Sequence, residues 1–276
     1  MERELPTINI EETDFFVDVS KFELKEKSNE QNVIPFEDMR DVGDGYVFEY
    51  DLQEKNLPSL WSSNETTTVK IPEFVVLDPL GMAHKYNMAL DEIKGKTDFE
   101  LMVDPKAFDK RVNKGMLPTV DIAGHTFYVD IRMDMLRPKD DFLSNGIVFS
   151  SIENFFDEER QLYFVPYHPK AHEFREIDYE TITKIPKDLI VVSFPNERVL
   201  DPIGWNRHHG FELIDGLKEK GLKIHFTAKK ASWEDIYVPQ IIKENLDKLA
   251  KKSKKEISEN IIGQSPKKQH RKGRKI

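Results

Sequence analysis

The chain contains no cysteine. That removes disulfide staples, thiolate nucleophiles and Cys-ligated zinc or iron–sulfur centres from consideration. It has no run of eighteen apolar residues, so no helical bilayer span and no membrane insertion are expected. Its start, Met1-Glu2-Arg3-Glu4-Leu5-Pro6, lacks the basic opening and apolar stretch of a signal peptide, which makes a cytoplasmic location the expectation. Glycine-rich phosphate loops, Gly-x-Ser-x-Gly and His-Glu-x-x-His are missing too. Nucleotide, flavin, serine-hydrolase and zincin chemistry thus lose their usual anchors. No cofactor is expected, and the balance leans away from an enzyme.

What is present is charge. One third of the 276 residues are Asp, Glu, Lys or Arg and only 38% are hydrophobic. The net charge of -9 is unevenly spread: Asp247–Ile276 holds eleven Lys/Arg against three Asp/Glu, a net of +8, so the first 246 residues carry -17. An acidic body with a basic end is a layout used for contact with nucleic acid or an acidic partner.

The body repeats itself. Leu5-Pro6-Thr7-Ile8-Asn9-Ile10, followed by Phe15-Phe16-Val17-Asp18-Val19, matches Leu117-Pro118-Thr119-Val120-Asp121-Ile122, followed by Phe127-Tyr128-Val129-Asp130-Ile131. Later, Val76-Leu77-Asp78-Pro79-Leu80-Gly81 matches Val199-Leu200-Asp201-Pro202-Ile203-Gly204. The offset grows from 112 to 123, placing about eleven extra residues in the second copy near Tyr167–Ile182. Two motifs recurring in one order point to internal duplication.

Period-2 alternation at Phe15, Val17 and Val19 predicts a strand, and the polar stretch before it predicts a hairpin opening each copy. Further strands are expected at Gly45–Tyr50 and Gln161–Val165. Leu189–Phe194 reads as a central strand with Thr67–Ile71 as its counterpart. Asp78 and Asp201 read as N-caps with proline at N1, opening short helices closed by Asn87 and Gly210. A second helix (Ala89–Lys94 or Phe211–Lys220) and a strand (Phe99–Val103 or Leu222–Phe226) follow. Asp104-Pro105 opens another helix, closed near Gly115. The resulting fold class is α+β: two tandem copies of a mixed, mainly antiparallel sheet-plus-short-helix unit, then an amphipathic helix and a disordered basic tail. The expected blocks are 1–103, a linker 104–116, 117–237, a helix 238–263 and a tail 264–276.

Several constellations are candidates for chemistry. Gly81–Ile93 has helix-turn-helix spacing, although Asp91 and Glu92 would face phosphate in its second helix. Asp78 and Asp201 could pair as acids, but their cap position explains them without chemistry. Asp18 and Asp130 are matched aspartates within strands. His84, His208 and His209 sit on the Asp-Pro helices, and His168 and His172 precede Glu173, Glu176, Asp178 and Glu180, a set from which a metal site could be drawn. Pro166 and Pro169 work against the helix that would align those two histidines.

At the end of the chain, Ile242, Leu246, Leu249, Ser253, Ile257 and Ile261 keep one helical face, supported by Glu244–Lys248 and Asp247–Lys251 spacing. Lys267, Lys268, Arg271, Lys272, Arg274 and Lys275 follow Ser265 with no acidic residue, and they are the candidate nucleic-acid contacts. The expected function is a non-enzymatic binding or accessory protein tethered by this tail to nucleic acid or a nucleoprotein complex. The alternatives are a metal-assisted hydrolase with its site in the second copy, and a protein–protein adaptor.

Overall fold

The computed structural model describes residues 3–263, with side chains described through Lys252. The chain is a mixed α+β protein of several antiparallel sheets and short helices, ending in one long helix. No helix among the described residues is long and apolar enough to cross a membrane.

Strands β1 (Thr7–Ile10), β2 (Thr13–Asp18), β3 (Glu23–Glu26) and β4 (Val33–Pro35) form an antiparallel meander in sequence order. The predicted opening hairpin is β1–β2, with Ile8 opposite Phe15 and Ile10 opposite Thr13. Its turn places Glu11 and Glu12 both at positive φ (43° and 64°), the geometry whose twist suits a two-residue hairpin. Strands β5 (Arg40–Asp41), β6 (Tyr46–Asp51) and β7 (Thr66–Ile71) make a three-stranded sheet. β7 lies at its edge, and most of its residues are exposed or half-buried. It therefore lacks the two-sided burial of the strand it was matched with, and among the described strands only β6 pairs with it.

Helices α1 (Phe74–Leu77), α2 (Pro79–Lys85), α3 (Leu90–Ile93), α4 (Asp98–Met102) and α5 (Pro105–Phe108) come next, and α5 runs into a π-helical turn, Asp109–Asn113. Here one expectation fails: Phe99–Val103 is largely helix rather than strand. Thr97 and Glu100 form a reciprocal capping box, the Glu100 N–H reaching Thr97 Oγ1 (3.2 Å) and the Thr97 N–H reaching Glu100 Oε2 (2.9 Å). That local start signal outweighs the apolar alternation of Phe99, Leu101 and Val103.

Strands β8 (Thr119–Ile122), β9 (His125–Asp130), β10 (Met135–Pro138) and β11 (Ile147–Val148) form a second meander, with Val129 opposite Leu136. Strands β12 (Phe156–Asp157), β13 (Leu162–His168), β14 (Glu173–Phe174) and β15 (Ile190–Pro195) follow, with β15 central and its residues Val191–Phe194 buried, as its unbroken apolar run predicted. Helices α6 (Glu197–Leu200), α7 (Pro202–His209) and α8 (Leu217–Lys220) lead to β16 (His225–Thr227) and β17 (Lys229–Ala231). The second helix after each Asp-Pro corner is only four residues long. Helix α9 spans Val238–Gly263, matching the predicted limits.

The chain divides into two compact units that cut across the sequential blocks: Met1–Thr119 with Glu197–Phe226, and Val120–Asn196 with Thr227–Ile276. In the first unit, Phe15, Val17, Leu24, Ile34, Phe48 and Met82 form the main core. The rings of Phe36, Tyr46 and Phe74 meet there at centroid distances of 4.9–5.5 Å. A smaller helical core joins Val103 and Ala107 to Ile203, Leu217 and Leu222. In the second unit, Phe164, Ile177, Leu189, Val191, Ile236 and Val238 pack together.

Helix α9 departs from its predicted face. Val238 is buried and Ile242 packs against the core, but Leu246 and Leu249 are exposed, and the next buried position is Asn245, whose Nδ2 donates to the carbonyls of Tyr179 (3.0 Å) and Ile182 (2.9 Å). Two loop carbonyls need donors there, and an amide supplies both where leucine would supply none.

Candidate functional site

The Asp-Pro corners are occupied structurally. Asp78 Oδ1 accepts the Gly81 N–H (2.9 Å) and Asp201 Oδ1 accepts the Gly204 N–H (3.0 Å), so both are N-caps as the sequence predicted. Each carboxylate is also gripped by an arginine that the sequence did not reveal. Arg3 holds Asp78 through both terminal nitrogens, and Arg111 holds Asp201 through Nε (2.8 Å) and Nη2 (2.7 Å). Both pairs lie in the first unit. A Cβ at Gly81 or Gly204 would collide with the capping carboxylate, which is why glycine stands third in each helix. The arginines are 75 and 90 residues from their partners, beyond the reach of any local pattern.

Asp18 and Asp130 are buried, rather than on a polar strand face. Asp18 accepts the Ser20 N–H (3.0 Å), and Asp130 accepts the Met133 N–H (3.3 Å) at the start of a 3-10 turn. Burial alone would raise the Asp18 pKa, but the Ser20 hydroxyl and the Ser20 and Lys21 N–H groups outweigh it and hold the group below its ordinary value. A cleft of about 460 Å³ opens beside it, bounded by Arg3, Ser20, His84 and Lys85. Its charged groups are largely engaged within the fold. Lys85 donates to the Ser20 carbonyl (2.8 Å) and lies 3.9 Å from the Phe22 ring centroid.

Asp98, Glu73 and Lys218 form a buried charge network that sequence reasoning missed. Asp98, fully buried, accepts from Tyr46 Oη (2.6 Å), Phe74 N (2.7 Å) and Val75 N (2.8 Å). It thereby caps α1 from a distant part of the chain. Glu73 accepts the Asp98 N–H (3.1 Å), and Lys218 Nζ reaches both Glu73 (3.2 Å) and Asp41 (3.0 Å). Burial pushes the Asp98 carboxyl above its ordinary pKa, although Tyr46, the two N–H groups and Lys218 pull the other way. Burial, followed by the Asp98 charge, likewise raises Glu73 and opposes Lys218. The only local trace of this network was the capping box around Thr97.

The histidines singled out from the sequence do not converge on one another as a metal site. His168 Nδ1 accepts the Ala171 N–H (3.0 Å), and its Nε2 is 3.7 Å from Asp188. His172 Nδ1 meets Asp141 Oδ2 at 2.7 Å, and its ring stacks on His125 with centroids 3.8 Å apart. Glu173 takes Arg175 and Asn145, and Asp178 takes the Glu180 N–H, so neither turns toward a histidine. His209 lies on Trp205 (3.9 Å) with Nδ1 2.9 Å from the Trp205 carbonyl oxygen, while His84 and His208 are exposed. Among the described residues, no group of three His, Asp or Glu side chains is placed to hold a metal ion. At the helix-turn-helix candidate, α3 has four residues and Glu92 is spent on the Ala89 N–H (2.9 Å), so no recognition helix is formed.

Lys267, Lys268, Arg271, Lys272, Arg274 and Lys275 lie outside the described residues. No family model, no curated protein and no solved structure matches this chain.

Proposed function

We propose that the chain is a non-enzymatic binding or accessory protein, built on a duplicated α+β body and tethered to nucleic acid or a nucleoprotein complex by its basic C-terminal tail. The observation carrying this reading is the segregation of charge: -17 over the first 246 residues against +8 over the last thirty. A body so acidic repels phosphate, whereas six tail cations without an acidic neighbour attract it.

The duplication is supported by the order of elements. A four-stranded meander, a hairpin-containing sheet and an Asp-Pro helix pair occur once before residue 104 and again between 119 and 209. The arginine grip on the capping aspartate recurs with them. The non-enzymatic part rests on the described aspartates and histidines, which are largely spent on caps, ion pairs and ring stacks.

The test is a salt-dependent titration of the full chain against generic DNA and RNA. A variant in which Lys267, Lys268, Arg271, Lys272, Arg274 and Lys275 are all Gln is titrated alongside. Binding should fall steeply with salt, with a slope of roughly -0.9 per phosphate neutralised on duplex DNA, and the variant should lose most of that slope. Equal affinities of the two proteins at low salt would refute the tether.

A further inference from the structure

A groove of about 430 Å³ opens in the second unit, within the size range of small-ligand sites. Its walls are aromatic and aliphatic: Phe155, Phe156, Phe164, Tyr179, Tyr237 and Ile241. Its polar rim is acidic, formed by Asp157 and Asp235. One cation of the chain already sits against three of these lining residues. The Arg160 guanidinium lies 3.9 Å from the Phe164 ring centroid, with Nε on Asp157 (2.7 Å) and Nη1 on Asp235 (2.7 Å).

Two carboxylates and one guanidinium leave the rim one negative charge in excess. Each carboxylate also retains accepting capacity: Asp157 takes the Arg160 N–H and Nε–H with the Glu159 N–H beside them, and Asp235 takes Arg160 Nη1–H and the Ser232 N–H. Glu176 adds to the same sign, standing near enough to Tyr179 to reinforce burial in holding that phenol at about 12.

A negatively charged rim above aromatic walls repels phosphates and carboxylates. It suits a side chain with a long apolar stem and a cationic end, which stacks on the rings while its charge meets the carboxylates. Tyr237 is well placed to take part. It stands exposed at the head of α9, held at φ 57° between the Trp233–Ile236 turn and the helix.

We propose that this groove docks a basic peptide segment, taking one arginine or lysine side chain between the aromatic walls with its charge at the Asp157–Asp235 rim. The occupant is fixed by charge complementarity and by the in-chain example of Arg160 on Phe164. The site belongs to the body, so it stands or falls independently of the tail.

The test uses the full chain and a dye-labelled heptapeptide, Ser-Leu-Gly-Arg-Gly-Leu-Ser, with a twin carrying citrulline for arginine, read by fluorescence anisotropy. Saturable binding should favour the arginine peptide by about fivefold or more. Tyr237→Gly, which suits the positive φ, and Asp235→Asn, which keeps an acceptor for the Ser232 N–H, should each weaken it by about three- to fivefold, as loss of one cation–π contact or one exposed charge pair implies. Unfolding midpoints of both variants serve as the control for intact structure.

Equal binding of the citrulline twin would overturn the proposal, since the groove would then read apolar surface and not charge. Arginine-peptide binding unchanged in both variants would overturn it as well, by assigning the attraction to the acidic surface at large. Absence of saturable binding would have the same effect. None of these outcomes bears on the tail variant's affinity for nucleic acid, so the two readings fail separately.

Discussion

The two arginine–aspartate grips offer a controlled comparison, because the same contact occurs at two depths. Arg111 and Asp201 have side-chain exposures of 6% and 0%, whereas Arg3 is 33% exposed over an Asp78 at 2%. Replacing Arg111 with Met keeps the apolar stem and removes the charge, leaving the Asp201 carboxyl group buried with its cap bond and no cation. Removing one partner of a buried pair costs about 3–5 kcal/mol. Arg3→Met exposes Asp78 to water that already reaches its partner, and the cost should fall to about 1–2 kcal/mol, between the exposed and buried cases.

Urea unfolding followed by circular dichroism measures both. The double variant Arg111→Met/Asp201→Asn should recover part of the Arg111→Met loss, since the orphaned charge is gone while the Asn side-chain oxygen can still cap Gly204. Equal losses at the two sites would refute the argument from burial. A double variant worse than the sum of the singles would refute the claim that an uncompensated charge is what destabilises.

Further outcomes follow from the buried polar groups. Asp98, raised above its ordinary value of 3.8 by burial, favours folding most when protonated, and its contribution is lost as pH rises from that value through its raised one. Asp98→Asn should therefore flatten the stability-versus-pH curve in that window; an unchanged curve would show that another group sets it. Asn245→Ala strands the Tyr179 and Ile182 carbonyls and should cost about 1–3 kcal/mol in urea unfolding, while Leu249→Ala, at an exposed position of the same helix, should stay within about 0.5 kcal/mol.

The parts of the fold written in neighbouring residues were legible. Alternation gave β2 and β9, the unbroken run gave β15, and proline after aspartate gave the starts of α2 and α7. Where two local signals competed at Phe99–Val103, the alternation was compatible with a strand, and the Thr97–Glu100 box arbitrated for helix. Contacts that close over long separations left no such trace. Lys218 meets Glu73 across 145 residues, and nothing around either residue marks it as buried. Asn245 was hidden for another reason: an amphipathic pattern names the apolar stripe, and a polar residue that joins Val238 and Ile242 on the docking face to serve two carbonyls falls outside it.

Why an arginine should recur at both corners follows from the cap itself. A proline at N1 offers no N–H, so the capping carboxylate of Asp78 or Asp201 receives one backbone bond from the glycine two residues further on. A carboxylate buried with one bond is poorly compensated, and a cation must reach it. The chain supplies that cation from whichever segment passes: Arg3 stands two residues before Leu5, while Arg111 stands six before Leu117, inside the π-helical turn. The corner thus dictates the pairing without dictating where the arginine comes from. On the proposed duplication, what the two copies share is therefore architecture, and specific binding should be sought where they differ. On that proposal Tyr179 falls in the stretch that carries the extra residues of the second copy, Tyr237 is that copy's last residue, and Ile241 belongs to α9, which follows it. These residues meet at the acidic aromatic groove. On the proposed duplication the Asp-Pro corners serve the fold, and the proposed groove would be what distinguishes one partner from another.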